Sequence, residues 1–198
     1  MSAAKRLVLG LDFGGTKLAA GVVDLTSKQL INEVRTATPG REGAQAVFAD
    51  MIALTEQLDS VESIEAIGVC FGGLVRRGEI IRSLHVDGYS SFPLRNRLHE
   101  RFGNREIRIA NDANAVALGE WKFGAGQGVQ SMLFLTVSTG IGGGIILDGH
   151  LIEGPKGLAG EIGHVIVVPN GRHCPCGRRG CLETVAAGPA MVRSAREL

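Results

Sequence analysis

The sequence carries almost no excess of either charge: 21 basic residues face 20 acidic ones, a formal net charge of +1 over 198 residues. A general nucleic-acid binder normally presents a strongly basic surface, so direct nucleic-acid binding is not expected. Long apolar runs are missing too. None approaches the ~20 residues needed to cross a bilayer, and the apolar start Leu7-Val8-Leu9 is broken by Asp12 before it can form the core of a secretory leader. Cysteine is scarce and uneven: Cys70 stands alone, while Cys174, Cys176 and Cys181 crowd together. A disulfide scaffold spreads its cysteines through a small, loop-rich domain, and a Cys174–Cys176 bridge would be badly strained. A metal cluster in a reducing cytoplasm fits the pattern better. The chain also has no Walker A sequence, no repeat of fixed period and no low-complexity tract. What it has in plenty is glycine, 29 residues, about twice the usual ~7%. With 44% apolar residues and balanced charge it is a globular chain, long enough for one generous domain or two small ones.

Hydrophobic periodicity places the elements. Leu7 to Leu11 is an apolar strand, Asp12 to Lys17 a turn, Leu18 to Val23 the return strand, and Leu30 to Thr36 a third, more alternating one. Ala44, Val47, Phe48, Met51, Ile52, Leu54, Thr55 and Leu58 recur at helical spacing. Ile64 to Cys70 is a buried strand ending in Gly72-Gly73. A short helix follows Pro93, with Leu94, Leu98 and Phe102 on one face. Ile107 to Ala110 is a strand that runs into Asn111-Asp112, and residues 113–121 are helical. Gly124 to Gly128 is a loop. Ser131 to Val137 is a strong buried strand, closed by a loop over residues 138–144. An Asp148-Gly149 turn joins 145–147 to 150–152. Pro189 opens a last helix over 190–198, which stops without a glycine or asparagine cap.

Two loops share a layout: a buried strand, then small and hydroxyl residues with adjacent glycines. They are Asp12-Phe13-Gly14-Gly15-Thr16-Lys17 and Ser138-Thr139-Gly140-Ile141-Gly142-Gly143. Glycines let the backbone approach a phosphate so that successive N–H groups converge on its oxygens. Asp12, at a strand end, suits a Mg²⁺ held through water, and Thr16 or Lys17 suits a phosphate contact. Each loop alone is equally an ordinary hairpin turn. Gly140-x-Gly142 lacks the spacing and following helix of a dinucleotide fingerprint.

Together these loops resemble the sugar-kinase/actin-like ATPase superfamily, which clamps a nucleotide between two hairpin loops. The closer resemblance is to the ROK family of sugar kinases and sugar-responsive repressors. Four motifs carry it in order: the Asp12–Lys17 loop, Asn111-Asp112-Ala113-Asn114, Thr139-Gly140-Ile141-Gly142-Gly143-Gly144, and a last segment. That segment reads Glu161-Ile162-Gly163-His164, then Cys174-Pro175-Cys176-Gly177-Arg178-Arg179-Gly180-Cys181-Leu182-Glu183. The resemblance covers essentially the whole chain. It implies an α/β chain of actin-like ATPase (ribonuclease H-like) fold, with a complete N-terminal domain over residues 1–120 and a partial second domain over 121–198. It implies ATP, Mg²⁺ and a structural Zn²⁺, and a homodimer in the full-length form. Asp12, Gly14, Gly15, Thr16, Lys17, Thr139, Gly140 and Gly142 would bind the nucleotide. Asp112 would take the proton from a sugar hydroxyl, and Asn111 would bond a neighbouring one. Gly73, Glu161, His164 and Glu183 would face the sugar. Read alone, Asn111-Asp112 is also an Asx helix cap, which is compatible with exposing a carboxylate at a strand's C-terminal end.

The last segment stands on its own chemistry as well. Three thiolates and one imidazole complete a tetrahedral zinc site with no open position, hence a structural one. Gly177 and Gly180 permit the tight turn of Cys174-x-Cys176-x₄-Cys181. His164 is the best placed histidine for the fourth position and matches the family's; His173 is the local competitor. An imidazole with one nitrogen on zinc still presents an N–H from the other, and in the family the matching histidine also touches the sugar.

The expected function is ATP-dependent phosphorylation of a hexose, most simply glucose at its 6-hydroxyl, with N-acetylhexosamines and fructose as alternative substrates. A non-enzymatic sugar-sensing module is the competing class. The family's repressors carry an N-terminal DNA-binding segment, and here the first strand begins a few residues after Met1. Where the family often has Pro-Gly after the second buried strand, this chain has Gly72-Gly73. Full-length relatives also continue past the zinc segment into helices that contact adenosine. A zinc knuckle for nucleic acid built on Arg172, Arg178 and Arg179 is a remote third reading, since arginines around such a loop more often form a solvated face.

Overall fold

The computed structural model of the chain describes residues 4–83 and 86–197. The chain divides into two compact units, Met1–Asp112 and Ala113–Leu198. In the first, β1 (Leu7–Phe13), β2 (Lys17–Asp24) and β3 (Gln29–Ala37) form an antiparallel meander. After α1 (Gly43–Thr55), β4 (Ala66–Phe71) lies parallel to β1. A hairpin of β5 (Gly73–Arg76) and β6 (Glu79–Ser83) follows, then α2 (Leu94–Phe102) and β7 (Glu106–Asn111), which is parallel to β4. The five-stranded sheet therefore runs β3-β2-β1-β4-β7.

The period-two pattern of the strands meets the helical period of α1 and α2 in one core. Leu7, Leu9, Leu11 and Phe13 of β1 are buried in alternation. They join Ile67, Val69 and Phe71 of β4, the α1 residues Val47, Phe48, Met51 and Leu54, and the α2 residues Leu94, Leu98 and Phe102. Tyr89 packs edge-on against Phe13, Phe71 and Phe92 at centroid distances of 6.3, 4.8 and 5.7 Å. Such aromatic contacts add to plain burial, and here they anchor the last residues of both β1 and β4. The register then aligns the parallel strand ends, with Phe13 opposite Phe71 and Phe71 opposite Asn111. Sites in α/β folds sit outside such carboxyl ends.

The helix expected from Ala44 to Leu58 stops at Thr55, and Leu58 stays buried in the turn beyond it. The β5–β6 hairpin was not anticipated, although its signal was present. Arg77 and Gly78 both take positive φ, 54° and 75°, as the favoured two-residue hairpin turn requires.

The second unit opens with α3 (Asp112–Phe123), all but its first residue. It continues through β8 (Met132–Val137), β9 (Ile141–Leu147) and β10 (His150–Leu151), a sheet of order β10-β9-β8. A 3₁₀ turn at Ile162–His164 precedes α4 (Glu183–Ala186) and α5 (Gly188–Arg196). Two expectations are corrected here. The loop expected over 138–144 is only residues 138–140, because β9 begins at Ile141. Gly142 and Gly144 serve packing inside that strand: Cβ atoms there would meet Ala113 Cβ at 3.4 Å and Ala117 Cβ at 2.5 Å, so bare Cα atoms let α3 lie close. Nor is β8 a buried strand. It is the edge of its sheet among the described residues, and Leu133, Leu135 and Val137 are 55%, 46% and 56% exposed. The Asp148-Gly149 turn forms as expected, with φ of 49° and 75°. The last helix has its proline in the first turn, and Leu198 lies outside the described residues. No helix among the described residues is long and apolar enough to cross a membrane.

Candidate functional site

In the first unit, the site is built from strand ends. Asp12 is the next-to-last residue of β1, the Gly14–Thr16 turn follows, and Lys17 opens β2. A Cβ on Gly14 would lie 2.6 Å from the Lys17 carbonyl oxygen, so this turn accepts only glycine there. Thr38 pins the turn, its Oγ1 donating to the Gly14 carbonyl at 2.7 Å and its N–H to the Thr16 carbonyl at 3.0 Å. Thr38 lies past the end of β3, and no sequence signal pointed to it.

Beside this turn, the bare Cα of Gly72 is where three strand ends meet. A Cβ there would stand 3.5 Å from the Phe13 carbonyl oxygen, 3.7 Å from the Gly15 nitrogen and 3.8 Å from Asp112 Oδ2. The Gly72 N–H donates to the Phe13 carbonyl at 3.1 Å. Asn111 Nδ2 donates to the Gly73 carbonyl at 3.1 Å and to Asp112 Oδ1 at 3.0 Å, holding the carboxylate against the β4–β5 connection. Gly73 itself has no room for a side chain, since a Cβ would lie 2.4 Å from the Arg82 carbonyl oxygen.

Electrostatics mark the same spot. Partial desolvation and the negative charge of Asp112 hold the Asp12 carboxyl above its ordinary range, with Lys17 and Arg35 opposing. Asp12 remains accessible to water. A carboxylate raised by a second carboxylate is a place where a cation would be welcome. Cys70 pairs with Asp12 across β1 and β4. Burial, then Asp12 and Asp112, push its thiol up to about 11, so it stays protonated and unreactive.

In the second unit, His164, Cys174, Cys176 and Cys181 bring their ligand atoms within 4.8 Å of one another. Cys174 Sγ lies 3.6 Å from His164 Nδ1, and Cys176 Sγ lies 3.7 Å from Cys181 Sγ. With Zn–S of about 2.3 Å and Zn–N of about 2.05 Å, the edges of a tetrahedron are about 3.6 Å for N–S and about 3.8 Å for S–S. The donor set therefore fits zinc in chemistry and in size. His173 is not in the cluster; its backbone bridges to Arg179. The turn depends on two glycines, Gly177 at φ 91° and Gly180 at φ 74°. A Cβ on Gly180 would overlap the Val168 carbonyl. The Arg178 backbone N–H holds the Cys176 thiol low, while desolvation pushes Cys181 up and Cys174 up to about 11. Of the nearby arginines, Arg172 pairs with Glu197, and Arg179 donates to the Gly171 carbonyl at 3.2 Å.

Glu161 stands just before the 3₁₀ turn, with Oε2 3.7 Å from His164 Nε2. Nδ1 thus faces the thiols while Nε2 faces a carboxylate, the arrangement that orients metal-bound histidines. Glu183 reaches the second glycine loop. Its Oε2 accepts the Ile141 N–H at 2.9 Å, against Gly140. Ser138, Thr139 and Gly140 form the short loop between β8 and β9, and Gly142 lies inside β9. Gly188 packs on Ser138 of this loop, and Gly163 packs on Ile141 at the start of β9.

A mixed sheet ending in one glycine turn, followed by a glycine hairpin and a Cys₃His loop, defines the actin-like ATPase fold in the form carried by the ROK sugar kinases. The ROK family model matches residues 8–197, and the chain belongs to that family. It is 37% identical to a glucokinase of Thermotoga maritima over 195 residues, covering 98% of this chain and 61% of that protein. An N-acetylmannosamine kinase of Pasteurella multocida is also 37% identical, over 92% of this chain and 61% of its own length. The solved structure of a ROK family glucokinase from Streptomyces griseus, in complex with glucose and AMPPNP, superposes with a TM-score of 0.82 at 38% identity. That match covers 96% of this chain and 60% of the other. The chain thus spans about three-fifths of the length of these relatives.

Proposed function

We propose that this chain binds a hexose and the phosphates of ATP, and that it serves transfer of the γ-phosphoryl group to a sugar hydroxyl, most simply glucose to glucose 6-phosphate. The observation that carries the proposal is the meeting of Gly15, Gly72 and Asp112 at the strand ends, with Asn111 bracing the Asp112 carboxylate. Asp112 is the general base: Asn111 fixes one of its oxygens, and the carboxylate takes the proton of the attacking hydroxyl. One ionised carboxylate suffices, because phosphoryl transfer draws mainly on positioning and charge stabilisation.

The two glycine loops offer backbone N–H groups to phosphate oxygens, through Gly14, Gly15 and Thr16 in one unit and Thr139, Gly140 and Gly142 in the other. Lys17 adds a positive charge next to Asp12. Mg²⁺, when bound, neutralises phosphate charge, and Asp12 is the residue that would hold it, with Asp112 adding to the local negative field. Glu161, His164 and Glu183 supply acceptors and an N–H for sugar hydroxyls, each of which needs a partner once buried. Zinc, with four protein ligands, fixes this segment and takes no part in the transfer.

N-acetylmannosamine is the second substrate reading, supported by the equal 37% identity to the Pasteurella multocida kinase. A coupled ATP-turnover assay across glucose, fructose and N-acetylhexosamines tests both readings. It is run on this chain and on a version extended to the length of the Thermotoga maritima relative. Asp112→Asn is expected to lower turnover by about 10²–10⁴-fold while sugar binding persists. Full activity in that variant removes Asp112 as base. Sugar binding without turnover in either unmodified chain sinks the kinase reading in favour of a sugar-sensing module.

A further inference from the structure

The second glycine loop is gripped by the segment that carries the metal ligands. Ile141, just after Gly140, donates its N–H to Glu183 Oε2 at 2.9 Å, a partner from outside the hairpin. A Cβ on Gly140 would stand 2.6 Å from the same oxygen, so this glycine is what admits the carboxylate. The Ile141 carbonyl lies against Gly163, whose Cβ would be 2.1 Å from that oxygen. At the loop's start, the Ser138 carbonyl accepts the Gly188 N–H at 2.8 Å. Glu183 stands two residues after Cys181, and Gly163 is next to His164. A metal that joins Cys181 to His164 therefore ties together the carboxylate that accepts the Ile141 N–H and the glycine that packs against the Ile141 carbonyl.

We propose that Glu183 is a positioning residue for the second glycine loop, the link through which the metal-held segment sets the backbone at Gly140-Ile141 before any nucleotide arrives. The inference rests on the zinc and phosphate-loop readings and gives Glu183 a task distinct from touching sugar. A hydrogen bond from an amide to a charged acceptor is among the stronger kinds, and this one is made to the residue at which the three-residue loop enters β9.

The test is amide hydrogen exchange at Ile141, read by NMR on the zinc-loaded 198-residue chain without sugar or nucleotide. Zinc content is measured for every variant. Glu183→Ala, which removes the acceptor, is expected to speed Ile141 exchange by about tenfold or more. Glu183→Gln keeps an acceptor oxygen and restores most of the protection. Gly140→Ala displaces the carboxylate without altering the zinc segment and reproduces the loss. Chelation of zinc raises exchange in the unmodified chain and adds little to Glu183→Ala.

Unchanged Ile141 exchange in Glu183→Ala with zinc retained overturns the proposal. If that variant loses zinc, unchanged exchange in Gly140→Ala overturns it instead. Chelation that leaves the unmodified chain protected, while Glu183→Ala does not, refutes the anchoring by metal and keeps the Glu183 contact. A chain that binds no zinc defeats the zinc reading alone, because the Glu183 comparison can still be read.

Discussion

Glycines in this chain do different jobs, and substitution separates them. Gly73 sits in a hairpin so close that a Cβ would press on the Arg82 carbonyl at 2.4 Å and the Phe71 ring at 2.9 Å. Neither neighbour is the far end of a flexible side chain. Gly73→Ala is therefore expected to destabilise the chain by about 1–3 kcal/mol, the usual cost of overpacking. Gly68 lies in β4 with nothing within 4 Å of its would-be Cβ. Gly68→Ala should be neutral or slightly stabilising, because alanine gives up less backbone entropy on folding. Urea denaturation of the two variants checks the contrast; equal effects would mean that crowding does not govern these positions.

Asp12 is the other residue with a signed prediction. Its carboxyl is raised in the folded chain by desolvation and by Asp112, so the folded state binds the proton more tightly than the unfolded one. The penalty is fully present above the raised folded value. It fades as the pH falls through that value and is gone below the ordinary carboxylate range. In the absence of Mg²⁺, Asp12→Asn should thus be more stable than the unmodified chain at neutral pH, and the gap should close only below the ordinary carboxylate range, at about pH 3. Added Mg²⁺ should narrow the gap at neutral pH by stabilising only the chain that keeps the carboxylate. Denaturation midpoints at the two pH values, with and without Mg²⁺, measure both effects.

At the scale of elements, the zinc segment has little regular structure. From Glu161 to Leu182 the described backbone holds one 3₁₀ turn and two isolated bridges. Such a stretch buries little apolar surface, and a metal can replace the missing core. Purified without chelator, the chain should hold one zinc per molecule. Cys181→Ala should lose it, and His173→Ala should keep it, since His173 is outside the cluster. Elemental analysis decides, and loss of zinc from the His173 variant would move the fourth ligand there.

The ligand set was legible in the sequence because four donors of fixed chemistry lie close in the chain. The Asn111-Asp112 pair was legible because a strand visibly ends there. The grip of Glu183 on Ile141 was not legible, since it spans 42 positions and depends on a side chain's direction. The same holds for Thr38, which reaches back 24 positions to Gly14. That Gly142 and Gly144 make room for α3 was not legible for a related reason. A glycine that admits a helix and a glycine that admits a phosphate look alike in one dimension.

Across the whole molecule, the sheet of the first unit was readable because its strands alternate, and the burial of β1 follows that alternation residue by residue. The second unit breaks the rule that apolar means buried. Leu133, Leu135 and Val137 of β8 are about half exposed, as are Val165, Ile166, Val167 and Val168 after the 3₁₀ turn. Composition alone could not reveal this, because it does not show whether anything packs on a strand. Among the described residues, β8 combines an open strand edge with contiguous apolar side chains, which favours pairing between copies. The chain should therefore self-associate as its concentration rises, through β8. Replacing Leu133 and Leu135 together with lysine puts two charges on that strand at positions where the folded chain loses little burial. Sedimentation velocity of the two proteins over a wide concentration range is the measurement. Concentration-dependent association in the unmodified chain, abolished by the lysines with the folded spectrum intact, is the expected result. A unmodified chain that stays monomeric throughout, or association that survives both lysines, would place the sticky surface elsewhere or show that the exposed β8 face is tolerated.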